Sequence, residues 1–91
     1  MPRKPRFNLP GLPQHVIQRG NNREPCFYST ADYQYYLACL GEALLRFQCR
    51  LHGYVLMTNH VHMLVTPDTD LGISFMMQAI GRKYVQYINH T

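Results

Sequence analysis

Acidic residues are scarce in this 91-residue chain: five Asp and Glu stand against nine Lys and Arg, a formal charge of +4 and a pI near 9.2. That balance favours polyanionic partners, nucleic acid among them. Cysteine is sparse too. Cys26, Cys39 and Cys49 have no CxxC spacing, and their odd number fits neither a closed disulfide set nor a zinc ribbon. They read as reduced, semi-buried residues of a cytosolic protein. No apolar run approaches the roughly 18 residues of a membrane span. The opening "MPRKPRFNLPGLP" is basic and proline-rich, without the apolar centre of a signal peptide. Together these absences predict a soluble, intracellular protein. Repeats and low-complexity segments are lacking as well. The length leaves room for one domain, and 46% hydrophobic residues supply one core with little to spare.

Within that domain the chain changes character at residue 14. Pro2, Pro5, Pro10, Gly11 and Pro13 keep residues 1–13 out of helices, which predicts an extended basic arm carrying Arg3, Lys4 and Arg6. "QHVIQRGNN" then offers two β-branched residues followed by a Gly20-Asn21-Asn22 turn signal, so a strand is expected over 14–19. Ser29 is a good N-cap with Asp32 three residues on. Tyr33, Tyr36, Leu37, Leu40, Leu44 and Phe47 recur at helical steps and predict a helix over 30–48, which Gly41 weakens slightly. Two β-rich runs flank Thr58-Asn59, and Pro67 closes the second, giving an expected hairpin of 50–57 with 60–66. Ile73, Met76, Met77, Ile80, Tyr84, Tyr87 and Ile88 form one stripe of a helix over 71–90, with Asp68 and Asp70 near its positive end. The order is β-α-β-β-α, an α+β arrangement with an antiparallel sheet. A ferredoxin-like βαββαβ domain would add one more strand.

The chemistry concentrates in "MTNHVHMLV", Met57 to Val65. In a strand, residues i and i+2 share a face, so His60 and His62 project together and Val61 and Met63 point the other way. Two imidazoles so placed can share one divalent ion, and a strand supplies the rigidity that suits a metal keeping open positions for substrate. The same spacing also fits an exposed face of an edge strand. A closed zinc site would need two further ligands; His52, Cys49 and His90 are the candidates, none at a familiar spacing.

Three segments, "HVIQRGNNRE" (His15 to Glu24), "HGYVLMTNHVHMLV" (His52 to Val65) and "GRKYVQYIN" (Gly81 to Asn89), resemble the amino-terminal two thirds of the single-tyrosine HUH transposases. The branch associated with repetitive extragenic palindromes, kin of the transposases of small bacterial insertion sequences, is the nearer likeness. His60-Val61-His62 is the His-hydrophobic-His signature. The resemblance implies a ferredoxin-like fold holding Mg²⁺ or Mn²⁺ through His60, His62 and a polar side chain of a later helix. It also implies action on single-stranded DNA with palindromic hairpins, in the bacterial cytoplasm close to the nucleoid. In such enzymes the metal polarises the scissile phosphate, and a tyrosine attacks to leave a 5′-phosphotyrosine and a free 3′-hydroxyl. A phenol with a pKa near 10 needs that help.

The family's nucleophile lies in a carboxy-terminal helix that follows a Trp-rich strand, and tryptophan is absent from this sequence. The resemblance therefore predicts a truncated transposase domain over 14–91 that lacks the last strand and the nucleophile helix and is inactive alone. Tyr84 is an outside candidate for the nucleophile, with core packing as the competing role. An open sheet edge would also provide a route to a homodimer.

The expected DNA contacts fall in three basic clusters: Arg3, Lys4 and Arg6 on the arm, Arg19, Asn21 and Arg23 around the first turn, and Arg82 with Lys83 on the last helix. The helix pair would serve equally to solvate a surface. Tyr28, Tyr33 and Tyr35 are candidates for stacking on bases, or for core and rim positions. Two other functions remain alongside the transposase: a non-catalytic DNA-binding module, and a small zinc protein using His60, His62 and perhaps His52.

Overall fold

A computed structural model describes residues 10–19 and 25–89. Among these residues three strands and two helices follow the order β1 (Gln14–Arg19), α1 (Thr30–Arg46), β2 (Cys49–Leu56), β3 (His60–Pro67) and α2 (Gly72–Asn89). The sheet order is β1-β3-β2, with β3 antiparallel to both neighbours. Strands β1 and β2, joined through α1, therefore run parallel with β3 inserted between them, which is the split βαβ of a ferredoxin-like α+β domain. None of the described helices is long and apolar enough to cross a membrane.

Both helices cover one face of the sheet, because alternation sends the apolar half of each strand there. On β3, Val61, Met63 and Val65 are at most 1% exposed. They meet Tyr36, Cys39, Leu40 and Ala43 of α1 and Ile73, Met76 and Ile80 of α2 in a single cluster. Burying a side chain of this size contributes about 1.5–3 kcal/mol. The stripe expected on α1 is present but turned: Leu37, Leu44 and Phe47 sit half-buried at its margins, and the small Cys39 and Ala43 lie at its centre, where the helix approaches the sheet.

Element ends follow local chemistry. At the start of α1 the Ser29 side chain accepts from the Asp32 backbone N–H, and the Asp32 carboxylate accepts from the Ser29 N–H, a complete capping box. The helix stops at Arg46, two residues before the expected end, because Gln48 takes the left-handed conformation (φ 57°). Non-glycine residues rarely do so, and no glycine marks the stop. The expected hairpin is present, its two-residue turn closed by the Met57 N–H donating to the His60 carbonyl. A register shift between Leu51 and Gly53 places His52 at a bulge. Asp68, expected to serve the positive end of α2, instead faces Arg50 across the surface at 3.5 Å; the first turn of α2 holds no acid.

Gly72 opens α2 where no side chain fits. A Cβ there would lie 3.1 Å from the Phe47 carbonyl oxygen, 3.1 Å from Thr69 Oγ1 and 3.3 Å from Cys49 Sγ. The Phe47 carbonyl is already held as the acceptor for the Cys49 thiol, so it cannot retreat cheaply. Gly72→Ala is expected to destabilise the domain by about 1–2 kcal/mol, read as a lower urea midpoint at unchanged slope. An unchanged or higher midpoint would show that the α1–β2 corner yields freely.

Candidate metal and phosphate site

Among the described residues no helix covers the second face of the sheet, and it is the face of the histidine pair. Along β3 the burial pattern alternates, with Val61 and Met63 fully enclosed and His60 and His62 partly open to solvent. The strand is central, with β1 and β2 on either side. The edge-strand alternative for the His-x-His spacing therefore does not apply, and the imidazoles project from the best-braced strand of the domain. Their ring centroids are 4.7 Å apart.

Strand pairing brings residues of both neighbouring strands onto this face. Arg19 of β1 is opposite His60, and Ile17 is opposite His62 with Val55 of β2 on the other side. His15 reaches diagonally along the sheet to meet His62 edge to edge, with centroids 5.2 Å apart and planes within 13°. The site is therefore three imidazoles and a guanidinium, rimmed by the exposed apolar side chains of Ile17, Val55 and Leu64. The His62 imidazole is pushed below the usual histidine range, first by desolvation and then by the positive charges of His60, His15 and Arg19. A neutral imidazole is the form that ligates a metal.

The hydrogen bonds of the pair fall on one kind of atom. His60 Nδ1 donates to the Asn59 side-chain oxygen at 2.6 Å. His62 Nδ1 lies 3.1 Å from His15 Nε2, one nitrogen donating to the other. Each histidine thus directs its Nε2 away from its protein partner.

The other ligand candidates are elsewhere. His52 Nε2 bonds to Thr66 Oγ1 at 2.6 Å, six positions from His60 on β3 and so roughly 20 Å along the strand. Cys49 is buried against the helices with its thiol on the Phe47 carbonyl. His90 lies outside the described residues. Among the described residues no group of three or more His, Cys, Asp or Glu is arranged to hold a metal ion, so the zinc set considered from the sequence is not assembled there. What the face offers is the imidazoles of His60 and His62, both partly open to solvent.

Tyr84 lies on the far side of the sheet. It lines a cavity with Val61, on the helix face, and its hydroxyl donates to the Cys26 carbonyl at 2.6 Å. Phe27 and Tyr36 pack against its ring, and burial pushes its phenol well above the usual tyrosine range. A phosphate held by His60 and His62 would be out of its reach across the sheet. Tyr33 and Tyr35 are likewise occupied, stacking on Phe27 and Tyr87 at 4.2 Å each, and Tyr28 is the exposed member of the three.

The basic residues divide between two surfaces. Arg19 shares the histidine face. Arg82 is exposed on α2, and Lys83 forms an ion pair with Glu42 of α1, both on the helical layer. Arg3, Lys4, Arg6, Asn21 and Arg23 lie outside the described residues. His15 and Asn59 were not singled out from the sequence. Alternation places His15 with Ile17 and Arg19, but only the register of β1 on β3 brings it beside His62. Asn59 reads as a turn residue until its side chain is seen.

Compared with known families, residues 9–91 match the model of the family described as "Transposase IS200 like". The comparisons with curated proteins and with solved structures gave no match.

Proposed function

Since this chain belongs to the family of IS200-like transposases, we propose that its open sheet face holds a divalent cation and a single-stranded DNA phosphate for strand cleavage and rejoining. The observation that carries this reading is the convergence of His60, His62 and Arg19 on one solvent-facing surface of a rigid sheet. When bound, Mg²⁺ or Mn²⁺ would withdraw charge from the scissile phosphodiester and orient it for in-line attack by a tyrosine, giving the 5′-phosphotyrosine. The chain's own groups do the rest of the work described here. His60 and His62 provide donors fixed by the central strand. Arg19 supplies a permanent positive charge that is suited to a neighbouring phosphate. Ile17, Val55 and Leu64 offer apolar surface to bases beside it.

The donor set fits such an ion in part. Two imidazole donors suit a cation that keeps several waters, and imidazole ranks Mn²⁺ above Mg²⁺. Binding through this pair alone is accordingly expected to be weak.

The test is binding of a fluorescent single-stranded oligonucleotide with a palindromic hairpin, compared with blunt duplex of the same sequence, in the presence of Mn²⁺ and over a range of salt. Preference for the hairpin is expected, and Arg19→Ala should lower the slope of log affinity against log salt by about 0.7 for one lost single-strand phosphate contact. Equal binding of hairpin and duplex, with no effect of Arg19→Ala, would overturn the reading.

A further inference from the structure

Two residues outside the histidine signature determine how its imidazoles present themselves. We propose that Asn59 and His15 are positioning residues that hold His60 and His62 in the tautomer with the proton on Nδ1, leaving both Nε2 lone pairs facing outward for a cation. The inference deepens the metal reading above and rests on it for its purpose, though not for its observable.

Asn59 and His60 are adjacent, so the contact depends on the turn. The hairpin closes between Met57 and His60, and Asn59 is the last turn residue, with its side-chain oxygen 2.6 Å from His60 Nδ1. A carboxamide oxygen only accepts. The proton must therefore be on His60 Nδ1, and Nε2 of a neutral ring is then a lone pair. His62 has a partner of the same kind on the neighbouring strand. His15 Nε2 is 3.1 Å from His62 Nδ1, and the two rings lie within 13° of one plane, as a hydrogen bond between ring nitrogens requires. A neutral His15 protonated on Nδ1 is an acceptor at Nε2, and His62 then donates. Only that direction leaves His62 Nε2 unprotonated.

An isolated imidazole favours no such orientation, and a ligand histidine whose second nitrogen is held by a protein group binds metal more firmly. The two anchors differ in kind, one amide and one imidazole, and come from different elements. They converge on the same atom of each ring. That coincidence distinguishes an oriented pair from two histidines that happen to share a face.

The test uses the 91-residue chain labelled with ¹⁵N in its histidines, without metal, at a pH where the rings are neutral. Long-range ¹H–¹⁵N correlation spectra report which nitrogen carries the proton, and His60→Gln and His62→Gln spectra assign the signals. Wild-type His60 and His62 are expected as Nδ1–H tautomers. Asn59→Ala should move His60, and His15→Phe should move His62, toward Nε2–H, each leaving the other ring unchanged. Asn59→Asp, which keeps the acceptor, should restore His60. In parallel, Mn²⁺ affinity measured by electron paramagnetic resonance should fall 10- to 100-fold for Asn59→Ala and for His15→Phe. Both sites are exposed, so circular dichroism should show intact folding. Nε2–H tautomers in the wild type, or tautomers unmoved by the substitutions, would overturn the inference whatever the metal does. Tautomers that shift as expected in a chain that binds no Mn²⁺ would support the positioning role and refute the metal reading instead.

Discussion

Replacing His60 and His62 together with alanine is expected to abolish detectable Mn²⁺ binding while leaving thermal unfolding almost where it was. The separation follows from the two faces of β3. Core packing is carried by Val61, Met63 and Val65, each at most 1% exposed, and none of these is touched by the change. The histidines contribute exposed hydrogen bonds to Asn59 and His15, which add little against competing water. On the proposed reading a cation would depend on these two rings, since the described residues bring together no third His, Cys, Asp or Glu as ligand. His52→Ala is the matched control. Its ring is tied to Thr66, roughly 20 Å away along the strand, and Mn²⁺ affinity should be unaltered. Loss of binding in His52→Ala, or its retention in the double variant, would place the cation elsewhere in the molecule.

Much of this site could be read directly from the residues. The two-residue period of a strand was enough to place His60 and His62 on one face and Val61 and Met63 on the other, because that alternation is a property of the backbone. Element order was legible for a similar reason: Ser29 with Asp32, Thr58-Asn59 and Pro67 mark boundaries through local hydrogen bonding and restricted φ. The end of α1 was not legible, since Gln48 occupies a conformation usually announced by glycine. Nor was the centrality of β3. Strand order depends on which hydrophobic faces meet α1 and α2, a property of the whole chain. The same holds for His15, which is 47 residues from His62 in sequence and in contact with it in space. The basic residues show the opposite limit. Arg19 and Lys83 look alike as charges, but the packing of α1 against α2 gives Lys83 a partner in Glu42 and leaves Arg19 beside the histidines.

The largest effect on stability from a single polar residue is expected at Asp32. The residue is 5% exposed, and its carboxylate accepts from the Tyr28 backbone N–H at 2.7 Å, the Ser29 N–H at 3.1 Å and the Tyr87 hydroxyl at 2.8 Å. It thereby closes the capping box of α1 and pins the last turns of α2 to the first turn of α1. Asp32→Ala removes the cap and strands three donors, a cost of about 2–4 kcal/mol, readable as a lower urea midpoint.

The dependence on pH discriminates this account from simple loss of packing. The carboxyl is held below its ordinary value near 3.8, chiefly by the Tyr28 N–H, with burial opposing and Tyr87 and Ser29 adding to the depression. A group with a depressed folded pKa contributes stability that is complete above its unfolded value and is lost as the pH falls through the folded one. The gap in unfolding free energy between wild type and Asp32→Ala should therefore be constant above about pH 5 and narrow progressively below about pH 4. Tyr87→Phe, which removes one donor and keeps the ring stacked on Tyr35, should lower the urea midpoint by less than Asp32→Ala does and reduce the acid-dependent part of the gap. If the gap between wild type and Asp32→Ala held its full size down to pH 3, Asp32 would be acting through its shape alone, and the charged cap would not be what joins the two helices.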